Sequence, residues 1–152
     1  MTYLRTVWLR ALLLCGTLDA IYATSLTLIR GGGAAGVWLG VASGPFGDGA
    51  KAWGAAGVLA GLLVHFAIMA IMAAVGLRLA FNGPLGDVAP WKAGTLYGLV
   101  LYGVMYGVVL QWRFGLPFPN PDKIELAIAL FPHIFLVGIP MFTLFKQTLR
   151  PS

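Results

Sequence analysis

Four stretches of this chain are each long and apolar enough to cross a lipid bilayer, and no other feature limits its fold as strongly. A membrane-crossing helix takes about 20 mostly apolar residues to span roughly 30 Å of hydrocarbon. Residues 6–29, 52–81, 91–112 and 124–147 meet that requirement. Arg5 and Arg10 open the first stretch and Arg30 closes it. Trp91 and Trp112 flank the third as interfacial anchors, and the fourth runs from Lys123 to Lys146.

Composition points the same way. The chain is 59% hydrophobic and only 10% charged, where a soluble domain carries about 25% charged residues to cover itself with a hydrated surface. The net charge of +5 does not make it a nucleic-acid binder, because its ten Lys and Arg stand singly at the ends of apolar runs and form no patch. Anionic lipid headgroups are the partner such flanking charges meet. Cys15 is the single cysteine, so an intrachain disulfide or a cysteine metal cluster is excluded. Leu14 before it is not the small residue a lipoprotein signal needs. The first apolar stretch also runs past a typical signal core, so it reads as a retained helix.

The expectation is therefore an all-α, polytopic membrane protein, a single transmembrane domain over residues 1–152. Its four helices form an antiparallel bundle, because the turns at 82–86 and 116–121 are short and rich in Gly and Pro. Four crossings put both termini on one side. Arg5, Arg10, Arg78, Lys92, Lys146 and Arg150 fall on that side, against Arg30, Lys51, Arg113 and Lys123 on the other. The excess of cations on the termini side makes it the cytoplasmic one. Between the first two helices, residues 31–49 hold eight glycines with Trp38, Pro45 and Phe46, too short to cross. Two readings stay open there: a short interfacial helix near 37–42 followed by a loop, or a re-entrant segment lining a cavity.

Small residues mark expected helix contacts, since association in lipid depends on close backbone approach. Gly54, Gly57 and Gly61 lie near one face of the second helix. Gly94, Gly98, Gly103 and Gly107 give two small-xxx-small spacings in the third. The partner of these faces is either another helix of the same chain, a second copy, or a different membrane subunit.

Three ionisable residues lie deep in the apolar stretches: Asp19, His65 and His133, on three different helices, with Tyr102 at similar depth on the remaining one. A charge inside the bilayer is costly, so these side chains are expected to turn inward and converge. One outcome is a structural knot. Pro132 and Pro140 leave the carbonyls of Ile128 and Leu136 without their helical N–H partners on either side of His133. The functional outcomes are a b-type haem held between His65 and His133, a divalent metal held by the Asp-His-His set, or a path for protons or a small solute. Met69, Met72, Met105 and Met141 can ligate soft metals, but their apolar settings read as gap-filling core. Ser43 has no catalytic neighbour in sequence and reads as a loop or helix-end residue. No phosphate loop, His-Glu-x-x-His or nucleophile elbow occurs, which points to a non-enzymatic protein.

Several short motifs run in a familiar order. They are Gly16-Thr17-Leu18-Asp19, then residues 41–47 (Val-Ala-Ser-Gly-Pro-Phe-Gly), then residues 62–66 around His65, then Leu96-Tyr97-Gly98 with Met105, and last His133 followed by Val137-Gly138-Ile139-Pro140. Their order resembles an uncharacterised family of small four-helix bacterial inner-membrane proteins. The resemblance implies the topology and a bacterial inner membrane, and it implies no particular activity. The expected role is an accessory or structural subunit against a larger membrane complex. The alternative is a cofactor-binding or solute-conducting protein built on Asp19, His65 and His133.

Overall fold

The computed structural model describes residues 2–149, so Arg150 of the charge count lies outside the described residues. The described chain is helical throughout: α1 (Thr2–Ile29), α2 (Ala34–Phe46), α3 (Ala55–Asn82), α4 (Pro90–Phe114) and α5 (Lys123–Thr148). Four of these, all but α2, are long and apolar enough to span a membrane. Most of their surface points outward and is greasy: Leu63 is 64% exposed, Ile71 65% and Trp112 91%. An apolar surface this extensive suits hydrocarbon as its solvent.

The helix boundaries have local causes. Asp122 opens α5 by accepting from the backbone N–H groups of Ile124 and Glu125 at 2.7 and 3.2 Å, the usual task of an N-cap carboxylate. The second span begins at Ala55 rather than residue 52. A 3₁₀ turn occupies Asp48–Ala52, and Gly54 adopts a left-handed φ of 59° that no helix continues through. The glycine-rich segment forms a 13-residue helix, longer than residues 37–42. Two spans carry π-helical turns, at Met105–Leu110 in α4 and Pro132–Gly138 in α5. In the second, the N–H of Ile139 donates to Ile134 five residues back. Pro132, which has no N–H to give, sits where that register shift begins.

The two ends of the bundle are filled differently. Val7, Ala11 and Cys15 of α1 pack with Ala73 and Ala80 of α3, Tyr97 of α4, and Met141, Phe142 and Phe145 of α5 in one core. That core occupies the end where the Tyr3 hydroxyl donates to the Thr148 carbonyl. The opposite end, where Arg30 of α1 meets Glu125 of α5, holds a cavity instead.

Glycines set the spacing, though not all those expected to. A Cβ on Gly94 would stand 2.5 Å from the Ile139 Cα, and one on Gly98 would stand 2.8 Å from the Ile134 Cα. These two residues, with Gly138 opposite, bring α4 against α5 backbone to backbone. Gly57 and Gly61 do pack, but against α2: a Cβ on Gly61 would meet the Trp38 backbone, and one on Gly57 the Leu39 side chain. Gly107 faces only the Phe118 ring, and Gly103 meets nothing within 4 Å. Of the partners left open for the glycine faces, a helix of the same chain therefore does not serve Gly103. Gly54 lies before the helix and takes no part in its face.

The far end of α2 is tied to α4. Arg113 donates from Nη2 to the Ser43 carbonyl at 2.8 Å and from Nε to the Gly44 carbonyl at 3.1 Å. A guanidinium there satisfies the last carbonyls of the helix and opposes its dipole. Ser43 is buried, with its hydroxyl donating to the Gly40 carbonyl at 2.7 Å, a helix-end residue. Asp48 lies 3.4 Å from Arg113 and 2.8 Å from Lys51. The hydrogen bond and charge of Lys51, then the charge of Arg113, hold its carboxyl below the usual carboxylate range. A lowered folded value means this contribution is present above the unfolded pKa of about 3.9 and is lost as pH falls through the folded one. Hydrogen exchange at the end of α2, corrected for intrinsic rate, is expected to accelerate below about pH 4. Asp48→Asn should remove that pH dependence.

Candidate functional site

The three deep ionisable residues lie level. Asp19 is ten residues before the end of α1 at Ile29, His65 ten after Ala55, and His133 ten after Lys123. Each is therefore about 15 Å in from the same end of the bundle. All three line one cavity of about 370 Å³ that reaches outward to Arg30, Asn120 and Glu125.

Gly16 is what lets the site form on the α1 side. It lies flat against Phe66, whose ring a Cβ would meet at 2.7 Å. At that approach the His65 Nε2 lies 2.9 Å from the Gly16 carbonyl. A carbonyl only accepts, so Nε2 carries a hydrogen and Nδ1 turns to Asp19, 3.8 Å from Oδ2. His133 takes the opposite arrangement. Its Nδ1 donates to the Ala129 carbonyl of its own helix at 2.8 Å, leaving Nε2 without a partner among the described residues.

The carbonyl of Ile128, which Pro132 deprives of its helical donor, is taken by a residue sequence reading missed. The Tyr22 hydroxyl donates to it at 2.9 Å. Tyr22 is one turn beyond Asp19 on α1, a spacing that puts both on one face. Tyr22→Phe is expected to cost about 0.5–1.5 kcal/mol. In a Pro132→Ala background, where position 132 regains its N–H and the helix can use that carbonyl itself, the same change should cost almost nothing in a melting-temperature cycle.

Tyr102 does not line the cavity. It is buried, with its hydroxyl lacking a partner among the described residues and its ring edge-on to His133 at 5.9 Å and stacked on Tyr106 at 4.9 Å. It positions His133 and Tyr106 rather than facing a ligand. Met69, Met72 and Met105 line the cavity and are not only gap-filling core, while Met141 is fully buried. Trp38 of α2 forms another wall, edge-on to His65 at 5.5 Å. At the outer end Arg30 holds Glu125 with two bonds of 2.8 and 2.9 Å.

The remaining feature is what Asp19 lacks. It accepts no hydrogen bond from any described residue, and its nearest counter-group is His65 at 3.8 Å. Asp19 is part-buried, with its side chain 22% exposed, so its carboxylate is open to whatever enters the cavity. Ligation of haem iron from two sides needs a free nitrogen on each imidazole, and both nitrogens of His65 are directed at α1. Among the described residues no group of three or more His, Cys, Asp or Glu is placed to hold a metal ion. No family model, no curated protein and no solved structure matches this chain.

Proposed function

We propose that this chain is a non-enzymatic, multi-pass protein of a bacterial inner membrane that admits a small polar solute into the bilayer through the cavity above Asp19. The observation that carries this reading is a carboxylate at mid-membrane depth that lines a cavity and has no donor among the described residues. Tyr22, by contrast, spends its hydroxyl on the Ile128 carbonyl. In this reading the bundle is antiparallel with both termini in the cytoplasm. The paired ends of α1 and α5, at Tyr3 with Thr148 and at Arg30 with Glu125, support that course. The glycine-rich segment is re-entrant: Trp38 and Leu39 lie against Gly61 and Gly57, within about 9 Å of the start of α3. The resemblance to small four-helix inner-membrane proteins is compatible with this and adds no activity to it.

Accessibility tests it. Ala23 lines the cavity and Leu13 faces outward, 58% exposed. In a Cys15→Ala background, Ala23→Cys is expected to react with a charged methanethiosulfonate reagent added outside the cell, and Leu13→Cys is not. A silent Ala23→Cys defeats the reading, and labelling only from the cytoplasmic face reverses the topology.

A second reading, as an accessory subunit of a larger membrane complex, rests on small residues that meet nothing here. Gly36, Gly40 and Gly44 of α2 and Gly103 of α4 have open space where a side chain would stand. Copurification of a stable partner, lost in Gly40→Leu or Gly103→Leu, is the result this second reading requires.

A further inference from the structure

We infer that the occupant of this cavity is a small organic cation, a protonated or quaternary amine. The inference rests on the pocket reading and names its solute class. It starts from charge. The chain as a whole is +5, yet among the Asp, Glu, Lys and Arg that line the cavity two are acidic, Asp19 and Glu125, and one is basic, Arg30. Arg30 and Glu125 cancel one another at the outer end, which leaves Asp19 with only the His65 imidazole, 3.8 Å away, as a counter-group. An anion or a carboxylate-bearing solute would meet repulsion at the floor. A cation would meet the one acidic group in the cavity that accepts no hydrogen bond from the described residues.

The walls decide between an inorganic and an organic cation. A hard metal ion needs several oxygen ligands at close range. Of the two carboxylates in the lining Glu125 is held by Arg30, and the nearby carbonyls of Gly16, Ala129 and Ile128 already accept from His65, His133 and Tyr22. What surrounds Asp19 instead is polarisable: the rings of Tyr22, Trp38 and Tyr106 and the thioethers of Met69, Met72 and Met105. Aromatic faces attract alkylammonium groups through the ring quadrupole, and do so most strongly where water is excluded. Thioethers pack against methyl groups without demanding hydrogen bonds.

The rings are also held in place before any ligand arrives. Trp38 is edge-on to His65, Tyr106 is stacked on the buried Tyr102, and the Tyr22 hydroxyl is fixed to the Ile128 carbonyl. Walls set in advance lose little freedom on binding. A volume of about 370 Å³ admits a compact amine and is too small for a lipid with its acyl chains.

The test uses the full-length protein in nanodiscs, titrated calorimetrically with tetramethylammonium and ethylammonium chloride and with tert-butanol as a neutral compound of similar shape. Saturable binding of at least one ammonium is expected, with tert-butanol at least tenfold weaker. Asp19→Asn should weaken ammonium binding roughly 100-fold or more, and Tyr106→Leu roughly 10- to 30-fold. A melting curve for each variant establishes that it is folded, and two variants on different helices keep the result readable if one is not. If neither ammonium binds while Ala23→Cys is still labelled from outside, the pocket reading stands and this inference fails. If Ala23→Cys is also silent, both fail. Ammonium binding that survives Asp19→Asn overturns the inference. So does Ag(I) binding at the methionines with no ammonium binding at all.

Discussion

Gly98→Leu is expected to lower the stability of the bundle by about 3 kcal/mol or more, and Gly103→Leu, five residues along the same helix, to change it by less than about 0.5 kcal/mol. A Cβ at Gly98 would stand 2.8 Å from the Ile134 Cα and 2.9 Å from the His133 carbonyl carbon, and backbone cannot swing aside as a side chain can. The only relief is to part α4 from α5, which also breaks the close approach of Gly94 and Gly138. Gly103 has open space instead. Separation of the helices carries His133 away from the cavity, so Gly98→Leu should also weaken any ligand signal beyond what its melting temperature implies. Thermal unfolding in detergent for the two variants side by side is the measurement. Equal behaviour would contradict the α4–α5 packing described above.

Gly61→Leu should act on a different helix pair, α2 against α3. A Cβ there would fall 2.7 Å from the Trp38 carbonyl carbon, so a leucine side chain must push α2 off α3. The core between Val7, Tyr97 and Phe142 lies toward the opposite end and does not depend on α2. The spanning helices are therefore expected to stay folded, at a cost of about 1–3 kcal/mol, while the Trp38 wall of the cavity moves away. Faster proteolysis at residues 47–54, faster thiol labelling at Ala23→Cys and loss of solute binding should appear together. Gly40→Leu, on the open face of α2, is the control expected to do none of these. A Gly61→Leu protein with an intact α2 and unchanged labelling would mean that α2 does not wall the cavity.

Some of the site could be anticipated from the chain and some could not. The depth of Asp19, His65 and His133 follows from counting residues along helices of fixed rise, and the counts improve once α3 starts at Ala55. The carbonyl freed by Pro132 at Ile128 was also legible, because a proline removes a known hydrogen bond. That Tyr22 fills it was not, although its one-turn spacing from Asp19 was a usable signal. Tyr102 was placed at the depth of His133, but its contacts were not legible: it backs His133 and Tyr106. The three cavity methionines were indistinguishable in sequence from the fully buried Met141.

What the sequence determined by itself is linear. Span lengths and flanking charges depend on neighbours along the chain, where bilayer thickness acts directly. Only the tertiary structure decided which way each helix turns. A soluble helix announces its buried side by a polar stripe opposite, but these spans are apolar almost all round, so their pattern carries little information about rotation. Gly98 and Gly103 therefore look alike in sequence, and one touches backbone while the other touches nothing. For the same reason the chain alone does not reveal that α2 folds in against Gly57 and Gly61 and leaves a cavity above Asp19. In a membrane that choice is made by close packing and hydrogen bonds between helices, which are properties of pairs of surfaces and not of either one alone.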